Sequence, residues 1–260
     1  MLGAGYSNQT IDQGNAMLAN IDYYAVEISV MPDLNGDHVP DDPNVVFRKY
    51  KEKFIEFASG EHEDFEFTSD VALYGSIRTD ISWDFIPLDN NDRVLWESLS
   101  PVSAIFRIEA DADDLVAWGA VDHGAVIISD YSDNYSWTVS TIQTPSTGTQ
   151  PFSGNRQWGI RPPNRNGNVE LYTAAVDIAL VSDVIRWESD TQQQRENQER
   201  DYYNIADATW KNMVNEIIQW IYDNGGVANL SRDNFQHHID RDELTDYLEE
   251  NITLDQLTDN

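Results

Sequence analysis

The chain has 260 residues, no cysteine and a formal net charge of −30. These values exclude disulfides, a thiolate nucleophile and cysteine-ligated metal, and they oppose binding to phosphate-rich nucleic acid or anionic membranes, which needs basic patches. Eight Trp, twelve Tyr and nine Phe can bury a core, so disorder is not expected.

Lysine is confined to Lys49, Lys51, Lys53 and Lys211. An acidic, lysine-poor surface suits molar salt, where the Debye length falls to about 3 Å and self-repulsion is screened. The chain is therefore read as halophilic. No apolar run approaches the ~18 residues of a membrane span, and the start MLGAGYSNQTIDQGN has neither the basic nor the apolar segment of a secretory signal. The expected location is a cytoplasmic assembly, later particle-associated or extracellular.

Residues 1–20 are small and polar and read as a flexible arm, either a frayed terminus or an arm that orders against a neighbouring subunit. Residues 21–31 alternate, with Tyr24, Val26, Ile28 and Val30 on one side, and predict a half-buried strand.

The next ten residues carry oxygen ligands at alternate positions: Asp33, Asn35, Asp37 and Asp41, with the Val39 carbonyl between. A hard cation takes six to eight oxygens, and this spacing in a turn converges them, so calcium is the candidate cofactor. His38 stands where such loops use Gly, and no Glu follows at the twelfth position. An acidic solvated turn is the competing reading.

Asn44 can cap a helix running to Gly60, with Phe47, Tyr50, Phe54 and Phe57 on one face and Arg48, Lys49, Lys51, Glu52, Lys53 and Glu56 outside it. Between residues 64 and 130 short apolar runs predict strands at Phe65–Phe67, Val71–Ile77, Ile81–Ile86, Val94–Trp96, Ala104–Ile108, Leu115–Ala120 and Ala125–Ile128.

The stretch from Ser136 to Asp177 is the densest in local signals. Trp137, Val139 and Thr141 alternate as a strand, and Pro145, Gly148 and Pro151 hold a loop. Ser153-Gly154-Asn155 reads as a turn, Arg156–Ile160 as an extended run, Asn166-Gly167 as a hairpin turn, and Val169–Val176 as its partner strand. Arg156 and Asp177 are expected to form a structural ion pair, because a guanidinium fork fits a carboxylate with two bonds.

Pro151, Ser153, Gly154, Asn155, Arg156, Gln157, Trp158 and Gly159, followed by Tyr172, Thr173, Val176, Asp177, Trp210 and Gly225-Gly226, resemble a family of uncharacterised bacterial exported, effector-like proteins. The resemblance covers roughly residues 130–226. That family has His where Gln150 stands and Arg where Ala174 and Ile178 stand, so any chemistry that needs those groups is expected to be lost here.

Val181–Trp187 reads as one more strand, and the polar run 191–201 as a linker. Trp210, Met213, Val214, Ile217, Ile218 and Ile221 recur at helical spacing, and Gly225-Gly226 ends that helix. One or two short helices follow, with Leu244, Tyr247 and Leu248 as their apolar face.

The chain contains no G-x-S-x-G, P-loop, H-E-x-x-H or G-x-G-x-x-G motif. The expected fold is α+β. An antiparallel β-rich sandwich or barrel spans 21–190 with one helix in the N-terminal half, and 202–260 form a helical C-terminal region. The expected function is a non-enzymatic structural or adaptor component of an assembled particle, a virion or injection machine, whose partners are protein subunits of that assembly. A secreted or injected effector and a calcium-stabilised binding module are the alternatives.

Overall fold

The computed structural model describes residues 4–68, 76–112, 122–180, 191–253 and 256–257. Two of the predicted strands, Leu115–Ala120 and Val181–Trp187, lie outside the described residues, as does most of Val71–Ile77.

The α+β, antiparallel β-rich architecture is what forms. The first long strand, β2 (Leu18–Val30), follows a two-residue β1 (Ser7–Asn8). Two helices come next, α1 (Pro43–Glu52) and α2 (Phe54–Ala58), then β3 (Gly60–Thr68) and β4 (Ser76–Pro87). A short α3 (Asn90–Glu97) leads to β5 (Ile105–Ala112), β6 (Asp122–Ser132), β7 (Ser136–Gln143), β8 (Phe152–Arg161) and β9 (Val169–Ala179). A 32-residue helix, α4 (Gln192–Asp223), crosses the sheet. Two short strands, β10 (Val227–Leu230) and β11 (Phe235–Asp240), and α5 (Arg241–Leu248) close the chain.

Eleven strands among the described residues make one antiparallel sheet: nine run in the order β10-β2-β9-β8-β7-β6-β5-β4-β3, with β1 paired to β7 and β11 to β2. The meander β3 to β9 returns to pair with β2, which preceded it by two helices. β10 and β11 lie end to end along the other side of β2, at Val26–Val30 and Leu18–Tyr23 respectively. The chain from 202 onward is therefore not wholly helical, since its two strands extend the main sheet.

Helix starts follow from local chemistry. The Asp42 and Asp89 carboxylates accept the free amides at the heads of α1 and α3, and Pro43 needs no amide partner there. Thr191 and Gln194 form a reciprocal capping box, so the run 191–201 forms the cap and first turns of α4 instead of a linker. Val94–Trp96, read as a strand, belongs to α3: the Asp89 cap overrides three apolar residues in a row.

The core lies between the sheet and the helices. Phe54 of α2 meets Trp158 at 4.8 Å, Trp137 at 5.5 Å, Phe85 and Trp96 at 5.6 Å and Phe106 at 6.0 Å between ring centroids. Trp137 and Trp158 stack on neighbouring strands at 5.8 Å. Trp210, Met213, Val214, Ile217 and Ile221 of α4 complete this cluster. Lys51, expected outside, is buried: its Nζ donates to the carbonyls of Trp96 (2.5 Å) and Ser98 (3.3 Å) and lies over the Trp96 ring.

The described part of the arm packs against the sheet. Gln9 is buried, and its amide donates to the Gln150 carbonyl (2.7 Å) and Ser153 Oγ (2.8 Å) and accepts from the Gln150 amide (2.8 Å). Glu199 of α4 accepts the backbone amides of Met17 (2.8 Å) and Leu18 (3.0 Å), which ties the helix to the start of β2.

Candidate functional site

The block from Ser153 to Gly159 is a continuous part of β8, with no turn at Ser153-Gly154-Asn155. Its residues alternate between two environments. Gly154, Arg156 and Trp158 face the helices; Ser153, Asn155 and Gln157 face away. Gly154 is required by close packing, because a Cβ there would lie 2.2 Å from the Val176 carbonyl oxygen and 2.7 Å from Asp177 Cα. Gly159 is crowded by Tyr172 Oη at 2.6 Å and the Tyr135 carbonyl oxygen at 2.7 Å.

Arg156 is the centre of a buried charged cluster. Its Nη2 donates to Asp22 Oδ2 at 2.6 Å and its Nη1 to Asp22 Oδ1 at 2.8 Å. Nη1 also donates to Thr173 Oγ1 at 3.2 Å. Asp177 Oδ2 is 4.0 Å from Nη2. The fork expected on Asp177 is thus seated on Asp22, and Asp177 is a second carboxylate beside it. Asn20 Nδ2 donates to Asp22 Oδ2 at 2.9 Å. From above, the Trp210 ring of α4 covers the guanidinium at 4.1 Å.

The electrostatics follow from this crowding. Burial, and then the neighbouring Asp22, push the Asp177 carboxyl up to about 7, against the pull of Arg156 and Asn20. Asp207, one turn from Trp210, is also raised by burial, although Lys211 pairs with it. Arg156 and Asp177 border a cavity of about 80 Å³ walled by Phe85, Trp158 and Trp210. Asp177 keeps 14% of its side chain accessible. A carboxyl that titrates near neutrality can exchange a proton with a few waters in such a space.

The metal candidates lie elsewhere. Asp33 accepts the backbone amides of Gly36 (2.7 Å), Asp37 (3.2 Å) and His38 (2.7 Å). Asn35 accepts from Asp37, Asp37 from Val39, and Asp41 from Leu34. His38 adopts φ of 66°, the left-handed conformation that Gly would have supplied more easily. The loop folds around its own carboxylates, and among the described residues no group of three acidic or His side chains converges at metal-ligand distance.

Sequence reasoning missed Asp22, Thr173, Asp207 and Trp210 as members of the Arg156 cluster. Asp22 carried one usable signal: it shares the side of its strand with Tyr24, Val26 and Ile28, where a carboxylate needs a partner. No family model, curated protein or solved structure matches the chain.

Proposed function

We propose that this protein is a non-enzymatic structural or adaptor subunit of a larger assembly, a virion or injection machine, that works in molar salt. The observation that carries this reading is the outer face of the sheet. On β7, β8 and β9 it presents Thr138, Ser140, Asn155, Gln157, Ala174 and Val176, and charge returns only at Arg161 and Glu170. Ser140 donates to Asn155, and Gln157 bonds Thr138 and Tyr172, so this strip of the face, between Asp130 of β6 and the Arg161–Glu170 pair, is uncharged and internally paired. In a chain of net charge −30, a neutral sheet face favours contact with other subunits.

The buried cluster fits the same reading. Arg156 is committed to Asp22, and the cavity beside it holds only a few waters' worth of space. An effector activity centred on Arg156 and Asp177 is the second reading, and the Asp177 carboxyl near neutrality is the observation that favours it. Expression in a sensitive host separates the two. The wild type is expected to be harmless and Arg156→Lys to melt lower. A toxic wild type, with an equally stable and harmless Arg156→Lys variant, would overturn the structural reading.

A further inference from the structure

The sheet ends at β10, and no other described strand pairs with the outer side of that strand. Open edges are usually blunted by charge, because unpaired amides and carbonyls invite another strand. This edge is four residues long and bulged between Val227 and Ala228, but charge does not blunt it. From Asn224 to His238 the only charged residues are Arg232 and Asp233, which cancel, in a chain that carries 46 Asp and Glu. Exposed apolar side chains also gather here: Val30, Tyr222, Val227, Leu230 and Phe235. A groove of about 490 Å³ runs beside the edge, between α4 and the β10–β11 segment, lined by Val214, Leu230 and Phe235 among others.

We propose that the β10 edge is a self-association site, where a second copy of this chain adds its own β10 antiparallel and joins the two sheets. The proposal rests on the assembly reading above and names one of the partners. Charge selects the occupant: two chains of net charge −30 can meet here without opposing rows of carboxylates. A two-fold contact also needs a self-complementary patch, and an antiparallel pair of identical strands is one. Paired about a two-fold axis at Asn229, Asn229 faces its own copy and Ala228 faces Leu230 of the second copy, so opposed side chains lie on the same side of the joined sheet. The strand supplies main-chain bonds, and the groove beside it takes side chains that project at alternate positions.

Sedimentation equilibrium of the full chain in ~2 M KCl reads the outcome. The wild type is expected at twice the chain mass. Leu230→Glu and Val227→Glu, both on exposed side chains, should raise the dimer dissociation constant at least about tenfold with an unchanged far-ultraviolet circular dichroism spectrum. Leu99→Glu, at an 87% exposed position remote from this edge, should not change it. Asn229→Cys should cross-link on mild oxidation, because the parent chain has no cysteine to compete. A monomeric wild type overturns the proposal, and so does a dimer that cross-links through Ser140→Cys on the outer face instead. Both results leave assembly with other subunits standing. A toxic wild type with the Arg156→Lys behaviour described above sinks the assembly reading itself.

Discussion

Arg156 and Asp22 are 134 residues apart in sequence and form a two-bond ion pair across an intervening strand. Ala175 of β9 is registered opposite both. Its methyl group leaves the space through which the guanidinium reaches, and a larger side chain there would separate the pair. The contact links β2, the first long strand, to β8 across β9, under the cover of Trp210.

Arg156→Lys should therefore lower stability. Lys offers a point charge without the planar fork, so one of the Asp22 bonds and the stack under Trp210 are lost. Breaking a buried pair outright costs about 3–5 kcal/mol, and the conservative change should cost roughly half of that. Urea unfolding of Arg156→Lys, Asp22→Asn and the double variant measures the coupling. Additive effects would show that the pair does not act as a unit.

The strands around this pair were legible because alternation and turn residues are local: β2, β7 and β9 each carry an apolar side with period two. The site was half legible. Arg156 stood out as the cation in its block, yet its partner is fixed by strand register across 134 residues, which no local pattern encodes. The polar opening of α4 looked like a linker because its first turns carry no long apolar stripe. They are tied down instead by Glu199, which accepts two amides of β2, and by Tyr203, which donates to the Leu18 carbonyl. Lys51 was misplaced for a related reason, since charge marks a surface face unless a carbonyl pair and an aromatic ring wait for it.

Salt should stabilise the fold. With 46 acidic side chains against 16 Lys and Arg, self-repulsion is large in dilute buffer and is screened within a few ångströms at ~1 M salt. The melting temperature is expected to rise between ~0.1 M and ~2 M KCl. A flat or falling trend would remove the halophilic reading.

The Asp33 loop tests whether its carboxylates act alone. Asp33→Ala removes the acceptor of three backbone amides and should lower the melting temperature in the presence of a chelator. Calcium titration of the wild type then decides the ligand question. A rise in melting temperature that Asp37→Ala abolishes assigns calcium to Asp33, Asn35, Asp37, Val39 and Asp41; calorimetry without binding leaves the self-bonded turn.

Asp177 gives the sharpest pH prediction. Its folded value is raised from 3.8 to about 7 by burial and by Asp22, so the fold favours the protonated form. Between these two values the native state holds a proton that the unfolded chain has released, and stability must fall as pH rises. Above about pH 7 both states are ionised and the penalty is complete and constant. At about 1.4 kcal/mol per unit the loss is at most of the order of 4 kcal/mol, and relaxation around the cavity will reduce it. Asp177→Asn removes the titration while keeping the shape. Its stability relative to wild type should grow from pH 4 to pH 7 and then level off. Measuring both proteins in ~2 M KCl mutes the surface carboxylates, which titrate in the lower part of the same window. Parallel stability curves for the two proteins across that range would show that Asp177 is already ionised in the fold, paired with Arg156 as firmly as Asp22 is.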